Sequence, residues 1–330
     1  MERRKLLLSG TALIAALAGC SSSGGDPLPT TTTTAEPTAT PTATPTPEEP
    51  TAEPTPTDTP EPTDTAEPTE EPTPAGSEAA AASIEGARQD LREAHEIYVR
   101  RSDESDPSLL DIDATFGFHF PSVTNVVRKA ERKLNRAERE GSRAQRTTVS
   151  KLRGVALFLS TAARAQANVG RAYEEFADGA DDLISGSDAD AEIPAIESEL
   201  QELDAHLTTL NEQSRASDFD AFDAISGSVM RRKIEQFERE RSSLQLFVTL
   251  FADFQEGIEQ YEDAESEYHD GDDDDAVAIA RGVSDLFEGI VDEIDEAELA
   301  DSVADVADAV RTEAENWVTR ADDLADEAAA

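Results

Sequence analysis

From residue 77 onward, apolar side chains recur at alternating three- and four-residue steps, the spacing of one helix face. Ile84, Ala87, Leu91, Ala94 and Tyr98 mark a first helix, which Asp106-Pro107 is expected to stop near Glu104. Val123, Val127, Ala130, Leu134 and Ala137 mark a second, opening at Pro121 or Ser122 and breaking near Gly141-Ser142. A third carries Val155, Phe158, Ala162, Ala165, Val169, Ala172, Phe176, Ala180 and Leu183, and its small side chains permit close helix approach. Ile196, Leu200, Leu203, Leu207 and Leu210 give a fourth, with Pro194 tolerable only near its start.

After a mixed connection over 217–228 comes the longest periodic run. Phe247, Leu250, Phe254, Gly257, Tyr261, Ala264 and Tyr268 keep heptad steps, and Ile234, Phe237, Leu244, Val248 and Phe251 form an adjacent stripe. A helix with two neighbouring apolar stripes faces more than one partner, so this fifth helix is expected at the centre. Ala276, Ala280, Val283, Phe287, Ile290, Ile294 and Ala297 define a sixth, and Val303, Val306, Val310, Trp317 and Leu324 a seventh. Strand signals are nearly absent, so the expected fold is all-α: a helical bundle or short helical solenoid of about seven helices. Leu157-Phe158 before Gly186-Ser187-Asp188 and Leu246-Phe247 before Gly271-Asp272-Asp273 form a faint internal echo. The corner after Tyr268 resembles that of tetratricopeptide repeats, but a 34-residue period does not recur.

Upstream of residue 77 the pattern changes twice. Arg3-Arg4-Lys5, an uncharged run from Leu6 to Ala18 and then small residues have the three parts of a secretory signal. The run is about 13 residues long, short of the roughly 20 needed to cross the hydrocarbon core. Leu17-Ala18-Gly19-Cys20 ends it with the only cysteine of the chain. These four residues resemble the lipobox of prokaryotic lipoproteins, which implies lipid on Cys20 and its exposure as the first mature residue. Arg3-Arg4 before Leu6-Leu7-Leu8 also resembles a twin-arginine signal, although Glu2 stands where that pattern prefers Ser or Thr. General secretory export stays open beside it.

Residues 27–74 are almost entirely Thr, Pro, Glu, Ala and Asp and hold 14 of the 17 prolines. With almost no apolar surface to bury, nothing offsets an ordering cost of about 1–2 kcal/mol per residue. In a polyproline-like regime the segment reaches at most about 150 Å. The expected organisation is therefore a signal peptide (1–19), a lipidated start with a disordered Thr/Pro-rich spacer (20–76), and an acidic helical domain (77–330). The spacer has the composition of O-glycosylated stalks, an unmodified spacer remaining equally open, and no Asn-x-Ser/Thr sequon occurs in the chain.

Charge sharpens the picture. Asp and Glu number 72 against 28 Lys and Arg, a net of −44, which disfavours a phosphate-backbone partner by sign, so no nucleic acid is expected. Abundant acid with only five lysines is similar to the proteins of extremely halophilic archaea, for which molar salt shortens the Debye length to about 3 Å and removes self-repulsion. The alternative is a merely acidic surface protein. The charge is also unevenly placed: Arg128 to Arg153 holds ten basic and three acidic residues, Asp253 to Ala330 three basic and 28 acidic. The two stretches are expected to pack beside each other. Alternatively, Arg128, Lys129, Arg132, Lys133 and Arg136 contact anionic headgroups or surface polysaccharide.

Candidate chemistry is thin. Asp270, Asp272, Asp273, Asp274 and Asp275 offer oxygen ligands to a hard cation, but the spacing is not an EF-hand loop, and a turn followed by an acid-rich helix start accounts for the same residues. Phe116-Gly117-Phe118-His119-Phe120-Pro121 reads as an aromatic plug closing one end of the bundle, or as a ligand lip with His119 as its polar contact. His95, His119, His206 and His269 lack metal-type spacing, and no phosphate loop or nucleophile elbow occurs. The expectation is a non-enzymatic protein with no cofactor or metal. It is held to the outer face of the cytoplasmic membrane by lipid on Cys20 and meets a surface protein or glycan. A solute- or cation-binding lipoprotein is the alternative.

Overall fold

Ser77 starts the helical domain: its hydroxyl accepts the Ala80 N–H at 2.9 Å, the side-chain cap that the first turn of a helix lacks on its own. The computed structural model describes residues 77–102 and 104–330. In them the chain forms seven α-helices: α1 (Glu78–Val99), α2 (Phe120–Glu140), α3 (Arg143–Ser185), α4 (Glu192–Gln213), α5 (Gly227–Asp270), α6 (Asp273–Glu296) and α7 (Ala304–Ala328). Single 3₁₀ turns lie at Leu109–Asp111, Ala216–Ala221 and Asp301–Val303. The described residues contain no strand. The domain is all-α, a bundle rather than a solenoid, with a main hydrophobic core running from α1 to α7 and a small second cluster of Ala264, Ala280, Leu324 and Ala325. The signal, Cys20 and the spacer lie outside the described residues.

Consecutive helices pack on one another throughout, and α3 and α5 pack together as well. Contacts pair Gln166 with Lys233, Phe176 with Phe247 and Phe176 with Phe251, so residue numbers rise together and α3 and α5 run parallel. They overlap only in part. The first half of α3 is covered by the α1–α2 hairpin, as shown by the Tyr98 hydroxyl donating to the Ala162 carbonyl at 3.3 Å. The second half of α5 is covered by α6 and α7, with Phe254 edge-on to Phe287 and Tyr261 edge-on to Trp317. Between them, α4 lies against both long helices through Arg171–Glu199 and Arg241–Asp204. At 1.5 Å per residue this stagger makes a rod roughly 80 Å long.

The two-stripe pattern of α5 is matched by partners α3, α4, α6 and α7, so α5 is central as expected. So is α3, which packs against α1, α2, α4, α5 and α7 and buries small residues along most of its length. Both long helices end alike. Gly186 and Gly271 adopt φ of 79° and 84°, a conformation glycine enters without steric cost. In each case the glycine and its successor close back on the last turn: Gly186 to Leu183 O and Ser187 to Asp182 O, Gly271 to Tyr268 O and Asp272 to Glu267 O.

Three expectations need correcting. Helix α1 stops at Val99, five residues before Glu104, because the following segment turns inward and buries Leu109, Ile112 and Ala114 in the core. The aromatic segment does not close an outer end: Phe116, Phe118 and Phe120 pack against the core at mid-rod. There the backbone passes α3 so closely that a Cβ on Gly170 would stand 3.0 Å from the Phe116 carbonyl. Finally, the basic stretch does not lie beside the acidic one. Helix α2 packs on α1 and α3, whereas α6 packs on α5 and α7, and α7 on α6, α5 and α3, and the ion pairs of the basic stretch go to Asp90, Glu138, Glu140 and Asp220.

Candidate functional site

Where η-turns 109–111 and 301–303 meet α3 and α5, the core contains polar side chains. Lys233 is fully buried and Glu240 almost so, with Gln166 and Ser243 alongside. Lys233, Gln236, Glu240 and Ser243 follow one another at helical steps along one face of α5. The reason for their burial is the segment 112–114, whose backbone crosses the core without a strand or helix to satisfy it. Lys233 Nζ donates to the Ile112 carbonyl and, at 2.8 Å, to Gln166 Oε1. Gln166 Nε2 donates to the Asp113 carbonyl at 2.6 Å, and the Ala114 N–H donates to Glu240 Oε1 at 3.0 Å. The Ile112 and Asp113 carbonyls and the Ala114 N–H thus have side-chain partners where no strand or helix supplies them.

The network extends outward on both sides. Tyr98 donates to Gln166 Oε1 at 3.3 Å, and Gln236 bridges the two charges, accepting from Lys233 at 3.2 Å and donating to Glu240 at 3.2 Å. Ser243 Oγ accepts the Ala300 N–H at 2.9 Å and so pins the connection into α7. Phe237 lies under the ammonium, its ring centroid 4.4 Å from Lys233 Nζ. Burial draws the Lys233 ammonium down to about 8, against the opposing pull of Glu240. Burial likewise pushes the Glu240 carboxyl up, with Lys233 and the Ala114 N–H working the other way. Burial, then Glu240, raises the Tyr98 phenol.

Above Glu240 an open cavity of about 290 Å³ is bordered by Asp113, Arg232, Glu235, Arg239 and Ser302. Glu240 Oε1 takes all the donors while Oε2 has none. Sequence reading passed over Lys233 and Glu240, although the signal was there: they continue the seven-residue column of Phe247, Phe254, Tyr261 and Tyr268 toward the start of α5.

The residues singled out from sequence fall elsewhere. Arg128, Lys129, Arg132 and Arg136 are exposed on the face of α2 opposite its buried residues. Lys133 leaves that face: it pairs with Asp90 at 2.7 Å and donates to the Gly86 carbonyl at 3.0 Å. Other ion pairs of the basic stretch join Arg136 to Glu140, Arg153 to Glu138 and Lys151 to Asp220. Hydrogen bonding to Arg153 holds the Glu138 carboxyl below its ordinary value.

Asp270 ends α5, Asp272 precedes α6, and Asp273, Asp274 and Asp275 form its first turn, all exposed. Among the described residues no three His, Cys, Asp or Glu side chains converge as metal ligands would. His119 is exposed and shares a 2.9 Å hydrogen bond with Ser122 beside an open cavity of about 360 Å³. His95 and His206 are lowered mainly by burial. Arg3, Arg4, Leu17, Ala18, Gly19 and Cys20 lie outside the described residues. No described helix is long and apolar enough to cross a membrane. No protein family, curated protein or solved structure matches the chain.

Proposed function

We propose that this is a cell-surface lipoprotein: Cys20 carries the lipid, residues 27–74 space the domain from the outer face of the cytoplasmic membrane, and the helical rod acts there as a non-enzymatic interaction or structural module. The observation that carries the reading is the Leu17-Ala18-Gly19-Cys20 end of a basic-then-apolar start, followed at once by a Thr/Pro-rich segment. The architecture supports the second half. The main core runs from α1 to α7, the cavity over Glu240 is open and edged mostly by charged or polar residues, and the one beside His119, though partly edged by Ile97, Phe118 and Val123, is open as well, whereas small-molecule sites are usually enclosed and apolar. The net charge of −44 supports a hypersaline milieu, where such a surface repels itself least.

A second reading, solute or cation binding on behalf of a membrane partner, draws on the cavity over Glu240, where a buried carboxylate oxygen lacks a donor. Cell fractionation with mass spectrometry tests the first reading. The native protein should be in the membrane fraction with a lipid-modified Cys20 at its processed start. Cys20→Ser should appear in the medium or remain unprocessed, and membrane retention of a processed Cys20→Ser protein would overturn the anchor.

A further inference from the structure

The rod is electrically lopsided in a way the internal packing does not explain. Helix α2 carries Arg128, Arg132, Arg136 and Arg139 within one arc of its exposed face, and Arg143 and Arg146 continue the set around the corner into the first turn of α3. Of these six, only Arg136 takes part in an ion pair among the described residues. The far pole, built from the last half of α5 with α6 and α7, holds nearly all of the 28 acidic residues from Asp253 onward. A chain with a net charge of −44 gains nothing in solubility from an unpaired cationic stripe.

The position of the stripe is informative. Gln145 Nε2 donates to the Ser77 carbonyl at 3.2 Å, so the preceding 76 residues join the domain at the same corner that Arg143 and Arg146 occupy. The pole that receives the tether is the basic one.

We infer that the α2–α3 corner is a docking surface for the phosphate-bearing headgroups of the membrane to which Cys20 anchors the protein, so that the rod stands basic pole inward and acidic pole outward. The inference rests on the anchor reading above. A tether converts docking into an intramolecular event at high effective concentration, and only the basic pole offers an anionic surface partners of the opposite sign at contact distance. Arginine suits the role. A guanidinium grips phosphate through paired hydrogen bonds, and bonds at about 3 Å are still made within the Debye length of molar salt.

The test uses full-length lipid-bearing protein reconstituted into vesicles of phosphatidylcholine alone or mixed with phosphatidylglycerol, with an energy acceptor on the headgroups. A maleimide donor dye is placed at Thr147→Cys, beside the corner, or at Ala330→Cys, at the acidic pole. Docking predicts that transfer from position 147 rises severalfold when phosphatidylglycerol is present and that transfer from position 330 does not. Changing the six arginines to Gln should lower the docked fraction about tenfold or more. Circular dichroism checks that this variant folds, and the six-fold change to Lys, which keeps the charge, should retain docking at about 0.15 M salt.

Equal transfer from position 147 in both vesicle types would overturn the proposal. If soluble hyaluronan shifts the 147 dye while phosphatidylglycerol does not, the surface belongs to an acidic glycan and lipid docking fails. Failure of the anchor is read separately: dye uptake at Cys20 in the unsubstituted protein, or protein that does not float with vesicles, would remove the anchor and this arrangement with it.

Discussion

Helices α3 and α5 meet twice within a few turns, and the two meetings are chemically opposite. At Phe176 the contact is aromatic: Phe247 lies 4.7 Å and Phe251 5.7 Å away, ring centroid to centroid, with all three side chains fully buried. Three turns earlier, at Gln166 and Lys233, the contact is polar and equally dry. The difference lies in what passes between the helices. Only side chains meet at Phe176, whereas the backbone of Ile112 to Ala114 crosses beside Gln166, and unpaired carbonyl and amide groups there would cost more than burying polar side chains to satisfy them. Buried charge in this domain is thus the complement of a buried loop.

Four experiments sharpen the contrast, from the largest effect to the smallest. Phe176→Ala removes the ring shared by two partners and should cost about 3–5 kcal/mol in chemical denaturation. Lys233→Met keeps the volume but strands the acceptors of Ile112 and Gln166, and should cost about 1–3 kcal/mol. Adding Glu240→Gln should then cost less than its effect alone, because the two positions share Gln236 as intermediary. At the same pair of positions, hydrogen exchange at Ala114 should accelerate when Glu240→Leu removes the acceptor of its N–H, and unchanged protection would separate the loop from the network.

The third experiment is pH. Lys233 is drawn down to about 8 from an ordinary 10.5. Between those values the unfolded chain binds more protons at this group than the folded one, so its contribution to stability should rise with pH across that window and level off above it, where the raised Tyr98 phenol pulls the other way. Below pH 8 both states hold the proton and the burial cost of the ammonium is fully present. Lys233→Met should flatten this part of the profile, and a rise that persists would place its origin elsewhere. Last, Arg241→Gln removes an exposed contact to Asp204 and should cost less than about 1 kcal/mol.

Helix number, order and core faces were legible because each helix repeats its apolar residues at regular steps: positions such as Leu134, Phe176, Phe254 and Phe287 are all fully buried. The polar network around Lys233 and Glu240 was not legible for the same reason. A column reading Lys233, Glu240, Phe247, Phe254 breaks its hydrophobic rule at two positions, and periodicity alone treats them as solvent-facing. Their meaning depends on a loop more than 100 residues away in sequence, which no local pattern conveys. The end of α1 was misplaced by the same blindness, since Pro107 marks where a helix must have stopped and not where the chain first turns inward. The partner of the basic stretch was misjudged because sign says which groups attract, while topology decides which ones meet.

The offset overlap of α3 and α5 places the first and last described residues at opposite poles. Ser77 sits against Gln145 at one extremity, and Glu327 lies beside Tyr268 at the other. Anything fused behind Ala330 would therefore stand a rod's length from Ser77, and a pull applied between the two would load the interfaces in shear along their whole length instead of peeling one helix at a time.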